Sequence, residues 1–158
     1  MFKIAICDDE EILIRELREC LDRYSEETGR EFCYFEYHDG MELLKNYQPD
    51  FDLIFMDIKM EKMNGLKTAE EIRKVDGTVG LMFLTYGSCD QYRYFLGRRS
   101  FHPVFAFSVR EAWAEIYSQK PVLICISRRL RGGTGDELFF FLIFVLSFWL
   151  GDMPLSFI

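Results

Sequence analysis

FDLIFMDIKM, residues 51–60, is the stretch whose reading decides the fold. Leu53 to Met56 form an apolar run that stops abruptly at a carboxylate, Asp57. A run this short, bounded by polar residues, predicts a strand buried on both faces. A carboxylate at the carboxyl end of such a strand emerges where open α/β sheets bind their ligands.

The segments on the amino-terminal side fit the same architecture. Phe2 to Cys7 is β-prone and stops at Asp8-Asp9-Glu10, after which Ile12, Leu13, Leu17, Cys20, Leu21 and Tyr24 recur at helical spacing. Gly29 suits a helix end, Phe32 to Tyr37 is an aromatic-rich strand, and Asp39-Gly40 turns the chain into a short helix around Met41 to Tyr47. On the other side, Asn64-Gly65 makes a turn before a helix with Leu66, Ala69, Ile72 and Val75 on one face. Val79 to Leu84 is the fourth strand, closed by Thr85. Alternating strands and helices predict a doubly wound parallel sheet, and right-handed crossovers bring the carboxyl ends of its strands to one edge.

That edge is expected to collect Asp8 and Asp9 after the first strand, Asp57 after the third and Thr85 after the fourth. Three carboxylates so placed repel one another, and a hard divalent cation relieves the repulsion. Mg²⁺, which takes one or two carboxylates together with waters and phosphate oxygens, suits the set. The structural alternative is that Asp8 and Asp9 cap a helix and Asp57 caps a loop.

The totals bound the remaining choices. With 158 residues, 49% of them hydrophobic, the chain can bury a real core. The net charge of −7 is unevenly spread: residues 1–76 carry 11 Lys/Arg against 20 Asp/Glu, whereas 77–158 carry 8 against 6. Cys7, Cys20, Cys33, Cys89 and Cys125 form no CxxC pattern, which favours reduced thiols over a disulfide framework or a zinc site. The start MFKIAICDDE reaches acidic residues too soon for a signal peptide, so a cytoplasmic protein is expected. No HExxH, GxSxG, Walker loop or GxGxxG occurs.

ICDDE (6–10), LIFMDIKMEKMNGL (53–66) and LMFLT (81–85) together resemble the receiver domain of bacterial two-component response regulators. The resemblance implies a flavodoxin-like fold with strand order 2-1-3-4-5. It implies that Asp57 is the phosphoacceptor, that Asp8 and Asp9 hold Mg²⁺ with Asp57 and the backbone carbonyl of Lys59, and that Thr85 is the switch hydroxyl. It also implies a sensor histidine kinase as partner and a phosphoacceptor rather than a turnover enzyme. The family places a Lys-Pro pair at the end of the fifth strand; the nearest counterpart here is His102-Pro103. Residues 86–102 are atypical, without a clear fourth helix or fifth strand.

FAFSVREAWAEIYSQKPVLICISRRLRGG (105–133) resembles a last receiver helix followed by the opening strand of a LytTR-type DNA-binding domain. Lys120, Arg128, Arg129 and Arg131 surround the β-prone run Val122 to Ile126 and could meet DNA phosphates; a solvated basic turn is the alternative. The expected division is a receiver over 1–118 and the truncated or frame-disrupted start of a LytTR domain over 119–158, the carboxyl-terminal part being irregular or incomplete. Promoter DNA and a homodimer are the further partners this reading implies. Residues 138–150 form 13 apolar or small residues in a row, short of the ~20 that span a bilayer, and no stable membrane insertion is expected.

Two other classes compete. One is a degenerate or stand-alone receiver acting only through protein contact. The other is a phosphatase of the haloacid dehalogenase type, whose nucleophile stands in a DxD pattern on the first strand, where this chain has Asp8-Asp9-Glu10.

Overall fold

The computed structural model describes residues 1–45, 47–85, 103–106 and 123–127, with Thr85 and the last two segments described by their backbone. The elements are β1 (Phe2–Cys7), α1 (Glu11–Thr28), β2 (Phe32–Tyr37), α2 (Gly40–Lys45), β3 (Leu53–Met56), α3 (Gly65–Val75), β4 (Gly80–Thr85), β5 (Pro103–Ala106) and β6 (Leu123–Ser127). All pairings in the sheet are parallel, and the order is β2-β1-β3-β4-β6-β5. The four amino-terminal strands therefore stand in the expected order 2-1-3-4, with helices packed on both faces.

Register assigns the faces. Ala5, Cys7, Ile54, Met56, Leu81 and Phe83 cluster with Leu43 of α2 and with Leu66, Ala69 and Ile72 of α3. The alternate residues of β1 are level with Tyr34 and Glu36 of β2, and these meet α1. Arg18 pairs with Glu36 at 2.6 Å and lies 5.2 Å from the centre of the Tyr34 ring, while Tyr24 stacks on Phe32 at 5.9 Å. Leu13, Ile14, Leu17, Leu21 and Tyr24 are the buried stripe of α1, each worth roughly 1.5–3 kcal/mol of transfer free energy when fully buried. Both faces of β3 are thus covered, which is why Leu53–Met56 has no polar position.

Beyond β4 the topology departs from the expected 2-1-3-4-5. The strand beside β4 is Leu123–Ser127, and Pro103–Ala106 lies outside it at the sheet edge. The run read from sequence as the opening of a second domain therefore extends the first domain's sheet, with Cys125 and Ile126 level with Phe83 and Leu84. Apolar, β-prone residues satisfy either placement locally, and only the pairing distinguishes them. Pro103 begins β5, so the nearest counterpart of the family's Lys-Pro pair stands at the start of a strand rather than at its end. Proline has no N–H and is tolerated at the first residue of an edge strand. His102, the segment 86–102, the helix expected after Phe107, the basic residues Lys120, Arg128, Arg129 and Arg131, and the apolar run 138–150 lie outside the described residues. Among the described residues, no helix is long and apolar enough to cross a membrane.

Candidate functional site

The ends of β1 and β3 lie side by side. Asp57 N–H donates to the Cys7 carbonyl at 2.9 Å, and Asp8 N–H to the Tyr37 carbonyl at 3.0 Å, so the sheet ladder runs right up to the acidic residues. Asp8 and Asp57 are buried and Asp9 is exposed, and one carboxylate oxygen from each lies within 4.8 Å of the others. Opposite oxygens of an octahedral Mg²⁺ shell are about 4.2 Å apart. A small closure of the three side chains would therefore bring their oxygens into such a shell. Three hard oxygen donors at one point, with Asp9 open to solvent, fit a divalent cation.

Helix capping does not account for Asp8 and Asp9, whereas Asp57 does cap its own loop through Lys59 N–H. Glu10, not Asp8 or Asp9, is the N-cap of α1, and it makes no side-chain cap bond. The Asp8 carboxylate accepts from Glu10 N–H at 3.0 Å, and that of Asp9 reaches across to Glu61 N–H at 3.2 Å.

The loop from Ile58 to Asn64 is held by alternate amides. Lys59 N–H donates to Asp57 Oδ2 at 2.9 Å, Glu61 N–H to Asp9 Oδ2 and Met63 N–H to Asp39 Oδ2, the last two both at 3.2 Å. Each of the three accepting aspartates follows a different strand: β3, β1 and β2. Gly65 N–H closes the loop onto the Ile58 carbonyl at 3.0 Å, and Asn64 caps α3 through Lys67 N–H at 2.9 Å. Gly65 has to be glycine here, because a Cβ would stand 2.2 Å from the Asp57 carbonyl oxygen. This close approach seats the first turn of α3 against the strand end that carries Asp57.

Cys7 lies beneath the acidic cluster, its thiol 3.6 Å from the Met60 sulfur. Burial pushes this thiol far above the ordinary range, and Asp39 and Asp8 push it the same way. A shallow depression beside the cluster is lined by Asp9, Ile58, Lys59, Met60, Glu61 and Leu66.

Of the residues singled out from sequence, the fold brings Asp8, Asp9 and Asp57 together and puts Lys59 two residues on, at the start of the held loop. Thr85 ends β4; Met56 and Phe83 are level, so Thr85 stands one residue beyond the level of Asp57. Pro103 is level with Leu123 at the amino end of β6, and Leu123 with Leu81 near the amino end of β4, so β5 starts at the opposite end of the sheet from the acids. Asp39 was read from sequence only as part of a turn. Its reach to Met63 spans 24 residues and has no local signature.

A family model described as response regulator receiver domain matches residues 4–96, more than half of the chain. The chain belongs to the response regulator receiver family. Among its relatives, it is 33% identical over 88 residues to the transcriptional regulatory protein CpxR of Klebsiella pneumoniae, covering 56% of this chain and 35% of that protein. It is 27% identical over 94 residues to an uncharacterized response regulatory protein of Staphylococcus epidermidis, covering 60% and 35%. The chain thus spans about a third of the length of the curated relatives it matches. Among solved structures, it resembles the response regulator TrrA of Thermotoga maritima in complex with Mg²⁺-BeF, with TM-score 0.52 and 28% identity over 87% of this chain and 93% of that one. The non-phosphorylated HemR receiver domain of Leptospira biflexa superposes with TM-score 0.61 over 93% and 95% at 21% identity, a likeness of fold.

Proposed function

We propose that this receiver is a phosphoacceptor of a two-component relay, that Asp57 takes the phosphoryl group from a phosphohistidine of a sensor histidine kinase, and that the protein works in the cytoplasm. The observation that carries this reading is the convergence of Asp8, Asp9 and Asp57 oxygens within 4.8 Å at the carboxyl edge of the sheet. In the step itself, a carboxylate oxygen of Asp57 attacks phosphorus, the P–N bond breaks and the histidine leaves with a proton. An acyl phosphate remains on Asp57. Asp8, Asp9, Asp57 and the Lys59 carbonyl would hold Mg²⁺, which would neutralise charge on the transferred oxygens. Lys59 N–H, donating to Asp57 Oδ2, orients the carboxylate for attack. The Thr85 hydroxyl is assigned the part of sensing the new phosphate and drawing the following loop with it, a local charge change that biases a two-state element. Nothing in the scheme requires turnover, so the chain acts as a phosphoacceptor rather than as an enzyme.

The test is incubation with Mg²⁺ and acetyl phosphate, comparing the wild type with Asp57→Asn. Acid-stable, base-labile label on the wild type alone is the expected result. Equal label on both proteins would remove Asp57 from this role.

Control of transcription through a DNA-binding output is the downstream half of the proposal, supported by likeness to transcriptional regulators such as CpxR. A second reading, a receiver acting by protein contact alone, draws support from β6. Leu123–Ser127 is part of the receiver sheet and so is not available to open an output domain. Salt-sensitive, sequence-selective DNA binding by the full chain would decide for the first.

A further inference from the structure

The held loop has three carboxylate anchors, and only two of them belong to the acidic cluster. The third, Asp39, is buried at 6% exposure and divides its two oxygens between two elements. Oδ1 caps α2 by accepting from Met41 N–H at 2.7 Å, and Oδ2 accepts from Met63 N–H at 3.2 Å. The junction around it is tight: a Cβ on Gly40 would overlap the Thr68 hydroxyl at 1.9 Å and press on the Met63 carbonyl oxygen at 3.1 Å. Thr68 is fully buried and donates to the Asn64 carbonyl at 3.0 Å. The start of α2, the end of the loop and the first turn of α3 therefore meet at Asp39-Gly40.

We infer that Asp39 is a positioning residue for phosphoryl transfer, fixing the far end of the Ile58–Asn64 loop so that its near end presents Lys59 and Asp57 in register with Asp8 and Asp9. The inference rests on the phosphoacceptor reading above. Its physical basis is the division of labour among the anchors. Asp57 and Asp9 must give up or share their hold on the loop when they engage a cation and a phosphoryl group. Asp39 lies outside that group and keeps its bond to Met63, so the loop retains one fixed end while the other reacts. Losing that end costs the precision of the ligand set rather than the ligands themselves, and misplacement on the scale of 1 Å costs up to roughly 100-fold in rate.

The test uses the full chain with Asp39→Asn and Asp39→Ser. Asparagine keeps the cap through its carbonyl and turns an N–H₂ toward Met63 N–H; serine keeps a cap oxygen and has nothing to reach Met63. Tyr47→Phe is the control: it removes the 2.8 Å bond to Asp76 near the opposite end of α3 and lowers stability without touching the loop. Hydrogen exchange of the 57–66 segment is expected to speed up about tenfold in both Asp39 variants and to stay unchanged in the control. With acetyl phosphate, the Mg²⁺ concentration for half-maximal labelling is expected to rise at least threefold in the Asp39 variants, the control matching wild type. Unchanged loop exchange in both Asp39 variants overturns the inference, as does a change of equal size in Tyr47→Phe. Faster loop exchange with unaltered Mg²⁺ dependence reduces Asp39 to a loop anchor and overturns its part in the reaction. A wild type that takes no label defeats the phosphoacceptor reading and with it the reaction role, whereas the exchange arm still decides whether Asp39 holds the loop.

Discussion

The two edges of this sheet group their carboxylates differently. At the amino-terminal edge every acid named here is matched. Asp50 pairs with the Lys3 ammonium at 2.5 Å, and Asp52 accepts from Lys3 N–H at 2.8 Å. Asp76, buried before β4, accepts from Tyr47 Oη, Thr78 N–H, Thr78 Oγ1 and Val79 N–H at 2.8, 2.8, 2.9 and 3.1 Å. At the carboxyl-terminal edge three acids converge on one another, although each also accepts a backbone N–H, Asp8 from Glu10, Asp9 from Glu61 and Asp57 from Lys59. The first arrangement stabilises the fold. The second sets like charges side by side, and the cation and phosphoryl chemistry proposed above rests on it. Asp76 and Asp57 are almost equally buried, so exposure does not separate them; the company each keeps does.

The largest expected effect sets one edge against the other. Asp57→Asn should lower acetyl phosphate labelling by at least about 100-fold, while Asp52→Asn, at the other end of the same strand, leaves it unchanged. Loss of label in both would break the contrast.

Next in size is the structural acid. Asp76→Ala should cost about 2–3 kcal/mol in a urea titration, because it strands buried donors, with labelling per folded molecule unaltered. The pH dependence follows from the same bonds. Burial alone would raise the Asp76 carboxyl, but the bonds from Thr78, Tyr47 and Val79 outweigh it and hold the group below its ordinary value. A lowered folded-state value means stability that is present above the unfolded value of about 3.9 and lost as pH falls through the folded one. The advantage of wild type over Asp76→Asn should therefore shrink below about pH 4 and hold steady above it.

A smaller effect belongs to the acidic cluster. Mg²⁺ at ten times its dissociation constant should stabilise the wild type by about 1.4 kcal/mol, and chelator should reverse the gain. Asp8→Asn should abolish the Mg²⁺ response and, in chelator, be slightly more stable than wild type because one repulsion is gone. A Mg²⁺ response that survives in Asp8→Asn would place the cation elsewhere. Smallest is the exposed Glu71–Lys74 pair at 2.6 Å, where Lys74→Ala should change stability by less than about 0.5 kcal/mol.

The residues themselves determined much of this. An apolar run bounded by acids can satisfy its burial only inside a covered sheet, so β3 and its terminal Asp57 were legible. Helical spacing in α1 and α3, the Gly29 helix end with φ 69° and the Asn64-Gly65 turn followed from local chemistry. Alternation of strand and helix then implied that Asp8, Asp9 and Asp57 share an edge. What only the tertiary structure decided is pairing and reach. Leu123–Ser127 carries the same apolar pattern whether it joins this sheet or another, because burial does not specify a neighbour; hydrogen bonding to β4 does. Asp39 reads as a turn residue because its cap is local, whereas its hold on Met63 exists only once β2 and β3 lie in one sheet with α2 and α3 on one face.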